Sequence, residues 1–361
     1  MIRISAWDGW FEKTRSLEYW RGVYRKHLLY GPAGLRVPRG GPGACDLVGL
    51  WGAAMARYVD QPFTQQTGAP VTDDFSSTPV ERIQKIKMSL NDQVYDVVQL
   101  HDGIVPLAEA EGVLETLDET WPELSNMKDI PQRYKRRGWV GMAYSALGIA
   151  YNPRLVSKPP KSFADLWSDA YRGMIVLPEV SHSLGLYIIP IGALAASRPV
   201  DDTEAGFRML ERMVALDPIW ARDTDSIMNA LASEEAVIGL LYKSQVETLK
   251  QKGKNIEWVM PAEGGISYVT GTGIAKNSKN IRLAASYLNM TIGADCQRFV
   301  SELFSYEGTN PGVASLLAPA VRQRCGFSAE ERSKIIDLDQ EWMAHHRVAW
   351  ADRWNRVVSG G

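Results

Sequence analysis

The sequence predicts an α/β fold made of two units of similar texture. Its 361 residues are enough for two domains of ordinary size, each with its own core. From Asp46 to Glu115 the patterns of buried strands and amphipathic helices alternate, an order typical of a parallel sheet covered by helices. The same alternation returns from Pro159 to Lys252. We therefore expect two units of similar architecture, without a duplication that the residues reveal.

The first unit is predicted from the order of its local signals. Asp46–Trp51 is an apolar run that ends at Gly52, as expected for a buried strand. Thr78 and Pro79 are suitable as the cap and first residue of a helix. The predicted order is strand Asp46–Trp51, helix Ala53–Gln66, strand Pro70–Phe75, a helix from Pro79 with the apolar face Val80, Ile83, Ile86 and Leu90, strand Tyr95–Leu100 and helix Pro106–Glu115.

The second unit follows a long apolar segment, Trp139–Asn152, whose small central residues favour two strands joined by a near-straight link. Ser162 is placed to cap a short helix, and Ser181 begins an apolar helix that continues to Ala196. The remaining predicted elements are strand Met174–Leu177, helices Asp201–Leu216 and Ser226–Leu231, strand Gly239–Tyr242 and helix Ser244–Lys252.

The stretch Pro261–Asn280 lies where the chain passes from one unit to the other. Two glycines precede and two more follow its β-prone segment, Ile266–Thr270. Glycine permits sharp turns and a close approach of other backbone. Two interpretations follow: an ordinary buried strand, or a strand that crosses between two lobes and lines the cleft between them.

Residues 1–45 lack the periodicity of a helix or a strand. Gly31–Ala44 is rich in glycine, proline and arginine, which is typical of a linker. The continuous apolar run of a secretory signal does not occur there. We expect residues 1–45 to be a poorly packed extension or linker, residues 1–44 to be dispensable for folding, and the folded protein to begin at Asp46.

The composition excludes several classes of protein. A formal charge of −2 gives no reason to expect nucleic-acid binding, and no apolar run approaches the ~18 residues of a membrane span. Cys45, Cys296 and Cys325 lie far apart, without the spacing of a zinc or redox motif. Two alternatives remain: a disulfide between Cys296 and Cys325, or three unpaired thiols.

Four short pieces resemble the extracellular solute-binding proteins of ABC importers, in particular the spermidine/putrescine-binding group. The longest is Pro160–Leu177, where PKSFADLW precedes a Tyr-Arg-Gly turn and a strand. The others are Phe63–Gly68, Tyr95–Val98 and Pro261–Ile266, in the same order as in that group. The resemblance covers the whole of the predicted fold.

The resemblance implies the type II periplasmic-binding-protein fold, in which two α/β lobes joined by crossing strands close on a ligand. Lobe 1 would comprise residues 46–143 and 269–308, and lobe 2 residues 144–268 and 309–361. The crossings would be Tyr144–Leu147, Tyr268–Thr270 and Tyr306–Pro311. The resemblance also implies a periplasmic, monomeric protein whose partners are a small-molecule solute and the membrane permease of an ABC importer, with no cofactor and no metal.

The ligand contacts that the resemblance implies fall near the ends of the predicted strands. They are Trp51, Gly52, His101, Asp102, Ser181, Ser183, Tyr242, Tyr268 and Thr270. We add Tyr144, in a predicted crossing, and Lys243, directly after the strand Gly239–Tyr242, as further candidate contacts. Polyamine binders combine aromatic walls with carboxylates, because a cation that leaves water needs a counter-charge or a π face. Trp51, Tyr242 and Tyr268 supply such walls.

The charges depart from the polyamine pattern. Thr270 stands where that group has an amine-binding Asp, and Ser183 where it has a Glu. Asp102 remains for one ammonium group, whereas Lys243 and a helix beginning at Ser181 favour an acidic group. A zwitterion or an amine with an acidic end is therefore expected, such as an ω-amino acid or an aminophosphonate. Simpler roles stay open: a turn residue for Asp102, a solvated strand end for Lys243 and a helix cap for Ser181.

Two other functions remain as alternatives. An enzyme on the same two-lobe fold would use His101 with Asp102, or His182 with its neighbouring serines, although no GxSxG elbow accompanies them. A ferric-ion-binding protein would need an adjacent pair of tyrosines, and the sequence contains none.

Overall fold

The computed structural model describes residues 2–7, 50–76, 79–182 and 184–359. Eleven strands of this described chain form one mixed sheet. The strands are β1 Ile2–Trp7, β2 Val71–Ser76, β3 Val97–His101, β4 Lys135–Arg136, β5 Trp139–Tyr151, β6 Ile175–Pro178, β7 Ile219–Ala221, β8 Ile238–Tyr242, β9 Glu257–Val259, β10 Ile266–Ile274 and β11 Glu307–Gly308.

Helices cover the sheet and form the outer layers. They are α1 Leu50–Met55, α2 Gln61–Thr67, α3 Pro79–Met88, α4 Val105–Ala110, α5 Ile188–Ala195, α6 Thr203–Val214, α7 Thr224–Ala232, α8 Lys243–Gln251, α9 Ile281–Thr291, α10 Ala294–Phe304, α11 Val313–Leu316, α12 Pro319–Cys325, α13 Ala329–Ser333 and α14 Gln340–Ser359. A π turn at Ala56–Asp60 joins α1 to α2. Within the described ranges, none of the helices combines the length and apolarity needed to cross a bilayer.

The sheet has two parallel groups separated by antiparallel strands. Its order is β2-β1-β3-β10-β5-β8-β6-β7, with β4, β9 and β11 paired to β5. β1 runs parallel to β2 and β3, and β6 runs parallel to β7 and β8. β10 and β5 are antiparallel to each other and to their outer neighbours. This arrangement confirms the predicted α/β class with two lobes, one on each parallel group.

The central strands run through both groups. β5 is a single buried strand of 13 residues, so the prediction of two strands in Trp139–Asn152 is wrong. Its residues 147–151 pair with β8, while Tyr144 and Ala143 pair with β11. The packing explains the glycines of β10, since a Cβ on Gly271 would lie 2.1 Å from the carbonyl oxygen of Val140. β10 and β11 both pair with β5, so the three predicted crossing segments lie side by side in one sheet.

The N-terminal prediction is wrong for residues 2–7. β1 lies between β2 and β3, with Ile2 opposite Val71 and Ile4 opposite Val97. Removing it would leave the facing backbone groups of two strands without ladder partners, so residues 1–44 are not dispensable as a whole. Residues 8–45 lie outside the described residues.

Two predicted element starts are also corrected. Leu50 and Trp51 begin α1 instead of ending a strand, because Trp51 continues at helical spacing into the buried Ala54 and Met55; Asp46–Gly49 lie outside the described residues. The helix predicted from Ser181 begins later, with a 3₁₀ turn at Gly185–Tyr187 and then α5. The chain turns back on itself first, since a Cβ on Gly185 would lie 2.0 Å from the carbonyl oxygen of Glu179.

Other local predictions are confirmed. Ser162 caps the 3₁₀ helix Phe163–Trp167 through a capping box with Asp165. Cys296 and Cys325 are both buried free thiols, which decides against the disulfide. Cys45 lies outside the described residues.

Candidate functional site

Five aromatic rings come together where β3 and β8 end, contributed by these strands, β10, α1 and the residue before β11. We call Trp51, His101, Tyr242, Tyr268 and Tyr306 the cleft cluster. The ring centroid of Tyr268 lies 4.6 Å from Tyr242, 5.7 Å from His101 and 6.4 Å from Tyr306. Trp51 lies 6.3 Å from Tyr306. Because β3 and β8 belong to different parallel groups, the cluster lies between the two lobes.

Several polar atoms of this region have no partner. Trp51 Nε1 donates to Gln99 Oε1 at 3.0 Å. In the described chain, Nε2 of Gln99, Nδ1 of His101 and the hydroxyl of Tyr242 are buried without a hydrogen bond. Each buried polar group left in this state costs about 1–3 kcal/mol. Their convergence on the cleft cluster indicates a site for a polar ligand.

Asp102 adds a carboxylate to the cleft cluster. It accepts hydrogen bonds from the backbone N–H groups of Gly103, at 2.9 Å, and Val269. Burial raises its pKa to about 7, with a further rise from Asp337, against the backbone hydrogen bonds and Arg136. The Asp102 charge in turn raises the pKa of Tyr242. Asp102 directly follows His101 of the cluster, and a bound cation would hold its carboxylate in the ionised form.

The rings themselves are uncharged at neutral pH. Burial, together with the positive charges of Arg82 and Arg347, lowers the pKa of His101 to about 3. Burial also raises the pKa of Tyr242 and Tyr268 well above the usual value. The imidazole is therefore neutral, and both phenols keep their protons as hydrogen-bond donors.

Tyr144 and Lys243, both predicted as ligand contacts, lie in a different group. We call Tyr144, Lys243, Glu307, Phe327 and Arg332 the hinge cluster. Tyr144 stacks on Phe327 with centroids 5.7 Å apart and accepts a hydrogen bond from Arg332. The Lys243 ammonium donates to the carbonyl oxygen of Gly326 and lies 4.6 Å from the Phe327 centroid. The structure does not bring these two side chains to the cleft cluster.

The remaining predicted residues differ in their surroundings. Ser181 is exposed and bonds to the Glu179 carboxylate, and no helix begins there, so the predicted helix-start anion site is wrong. Ser183 lies outside the described residues. Thr270 is buried and pairs with His101 across β10 and β3. Gly52 is buried in α1, beside Trp51.

The profile of the bacterial extracellular solute-binding protein family matches residues 59–323. The chain belongs to this family. Its members deliver small-molecule solutes to ABC permeases, and the protein is the periplasmic solute-binding component of such an importer. The predicted family and location are thereby confirmed.

Named relatives of this solute-binding protein agree with that assignment. The spermidine/putrescine-binding periplasmic protein of Escherichia coli K12 is 24% identical over 272 residues, covering 72% of this chain and 76% of the relative. The solved Atu4243 GABA receptor has a TM-score of 0.74 at 23% identity, covering 85% of this chain and 93% of its own. A spermidine/putrescine substrate-binding protein of Streptococcus pneumoniae has a TM-score of 0.69 at 18% identity, covering 84% and 97%. The solved neighbours establish the shared fold.

Sequence reasoning did not single out three buried residues of the candidate site and its surroundings in this solute-binding protein. Tyr306 was predicted only as part of a crossing, and Gln99 and Arg82 were not singled out. Gln99 interrupts the otherwise apolar strand before Leu100, and Arg82 lies one turn before Ile86 on the apolar face of a helix. A polar residue at a buried position was the available signal.

Two other places were compared with the cleft cluster. A surface groove of about 1150 Å³ is lined by residues that include Tyr58, Asn126 and Asn289. Some of its polar groups are paired with each other, for example Asn126 N–H with Asn289 Oδ1 at 2.7 Å, and its described lining residues include no comparable group of clustered rings. In the described part of the chain, no group of three or more His, Cys, Asp and Glu is placed to hold a metal ion. The cleft cluster is thus the stronger candidate.

Proposed function

We propose that this protein captures a small amine-containing or zwitterionic solute between its lobes and presents it to the permease. The observation that carries the proposal is Asp102, a carboxylate that accepts hydrogen bonds from two backbone N–H groups and directly follows His101 of the cleft cluster. A carboxylate next to aromatic faces compensates an ammonium group for its lost hydration.

The site suits one ammonium group better than several. Thr270 places a hydroxyl where polyamine binders have a carboxylate, and His101 is neutral. A second buried ammonium would lack a counter-charge, which is costly. Spermidine is therefore a poor match, although the E. coli relative is named for it. Spermidine and GABA, for which another neighbour is named, share an ammonium end, and only GABA also has an acidic one.

Hinge closure accounts for how solute reaches a buried site. Tyr242, Tyr268 and Tyr306 are at most 5% exposed. Entry therefore requires the lobes to separate, and β5, β10 and β11 are the segments about which they would move. Capture between rings from both lobes would favour the closed state.

The test is a thermal-shift and calorimetry screen of polyamines, ω-amino acids, aminophosphonates and opine-like compounds, with native mass spectrometry to detect co-purified solute. A solute at 100 times its Kd should raise the free energy of unfolding by about 2.7 kcal/mol. Asp102→Asn should weaken the hit, whereas the exposed control Ser181→Ala should not. A tight hit that lacks an amine and binds Asp102→Asn equally well would contradict the proposal.

A further inference from the structure

Lobe 1 holds a buried cation that the residues so far discussed do not neutralise. Arg82, in α3, is 1% exposed. Its Nε and Nη1 atoms are buried and have no hydrogen-bond partner in the described chain. Burial lowers the pKa of Arg82 only to about 9, so the guanidinium remains charged at neutral pH. Glu81 favours the charged form, but it does not supply the hydrogen bonds that these two buried atoms lack, and a buried charge without hydrogen bonds is costly.

The position of Arg82 links it to the cleft cluster. α3 packs against β1, β2 and β3, the parallel group of lobe 1. Arg82 lies in the first turn of α3, which begins three residues after β2 ends, and β2 and β3 both run parallel to β1. Because the carboxyl ends of parallel strands meet at one edge of a sheet, Arg82 lies at the same edge as His101 at the end of β3. Its charge adds to burial in lowering the pKa of His101. Arg82 is therefore placed at the edge of lobe 1 where Asp102 directly follows β3.

We propose that Arg82 binds the acidic end of a zwitterionic solute whose ammonium end is held by Asp102. This inference rests on the proposed function and assigns the solute class: one ammonium group and one carboxylate or phosphonate joined by a short apolar chain. Arg82 takes the role that the sequence suggested for Lys243 and Ser181, whose polar groups bond elsewhere. Guanidinium N–H groups bind such anions through charge-assisted hydrogen bonds.

The charge arrangement also predicts that the site discriminates against diamines. A diamine that places one ammonium at Asp102 would direct the other toward a region that already contains the Arg82 charge. A diacid would place its second carboxylate near Asp102. A zwitterion gives each buried protein charge an opposite partner and repels neither.

The test compares three ligand types of equal chain length, a diamine, an ω-amino acid and a diacid, by calorimetry over several chain lengths. The unaltered protein should bind an ω-amino acid most tightly. Arg82→Met should weaken that binding at least tenfold and leave the matched diamine unchanged or improved. Arg82→Lys, which keeps a positive charge, should retain part of the preference. Ligand-free Arg82→Met should melt at a higher temperature, because an apolar side chain replaces an unpaired charge.

The outcomes separate the two proposals. One outcome is that the matched diamine binds more tightly than the ω-amino acid and that Asp102→Asn abolishes diamine binding. This would overturn the role of Arg82 and keep the proposed function. An unchanged preference in Arg82→Met, together with a lower melting temperature, would make Arg82 a structural residue. Binding of no amine in the series would overturn both. Arg82→Gln gives the same comparison if the methionine variant does not fold.

Discussion

The cleft cluster and the hinge cluster contain the same kinds of side chain in opposite states. In the hinge cluster, Arg332 bonds to Tyr144 and lies 2.8 Å from Glu307, and Lys243 bonds to a carbonyl oxygen. In the cleft cluster, the Tyr242 hydroxyl and the His101 Nδ1 atom have no partner among the described residues. A satisfied polar network stabilises one arrangement of the chain, whereas an unsatisfied one gains energy from a ligand.

Adjacent residues divide between the two clusters. Tyr242, the last residue of β8, faces Tyr268, while Lys243, the first residue of α8, extends to Phe327. Residue type and sequence position therefore do not decide which aromatic or charged group meets solute. What decides is whether the fold already supplies each polar atom with a partner.

The largest expected effect is the loss of the cleft carboxylate. Asp102→Asn should cost about 2–5 kcal/mol in the binding of an ammonium-bearing ligand, because it removes one partner of a buried charge pair. Calorimetry measures this loss. The matched hinge change, Glu307→Gln, should lower the melting temperature and leave affinity unchanged. Equal losses of affinity in both variants would show that the two clusters do not differ in function.

The second prediction uses the pKa of Asp102, which burial raises to about 7. An ammonium group binds the ionised carboxylate, so affinity should rise as pH rises through about 7 and fall by up to about tenfold per unit below it. Binding near pH 7 should release protons, which calorimetry in buffers of different ionisation enthalpy detects. Asp102→Asn should remove this release. A flat profile in the unaltered protein would place the ligand away from Asp102.

The sequence was sufficient to predict a two-lobe α/β fold, but not to predict which polar groups are paired. The apolar segments Tyr95–Leu100 and Gly239–Tyr242 predicted β3 and β8 with ends correct to within two residues. A buried strand can be predicted in this way because its apolar residues are consecutive in the sequence. β1 was missed although Ile2, Ile4 and Ala6 alternate with polar residues, because the residues that follow lack any such pattern. The strand is identified by its partners β2 and β3, which are distant in sequence.

The site was predicted in part for the same reason. Tyr242 and Tyr268 are in contact, and Trp51 is joined to them through Tyr306. Asp102 directly follows His101 of the same cluster. Tyr144 was misjudged because its ring points to the opposite face of β5 from that of the neighbouring Ser145, which bonds to Ser244. The face of a crossing strand that meets solute depends on how the lobes pack, which local patterns do not specify.

The third prediction compares the same substitution at one tyrosine of each cluster. Tyr242→Phe removes a hydroxyl that has no partner, so the ligand-free protein should lose little stability, while solute affinity should fall by about 0.5–1.5 kcal/mol. Tyr144→Phe removes the acceptor of Arg332 and should destabilise the fold by about 1–3 kcal/mol with unchanged affinity. Chemical denaturation and calorimetry on both variants give the four values. The reverse pattern would interchange the roles of the clusters.

The smallest expected effect is that of Lys243→Met. Burial lowers the pKa of Lys243, and its ammonium already bonds to Gly326 and lies over Phe327. Methionine keeps the apolar contact with that ring and removes the charge, so stability should change by no more than about 1 kcal/mol. Because Lys243 lies outside the cleft cluster, the affinities for an ω-amino acid and for the matched diamine, measured by calorimetry, should both stay within about twofold. A tenfold loss for the ω-amino acid alone would instead assign the acidic end of the solute to lobe 2, at Lys243, and would leave Arg82 without its proposed partner.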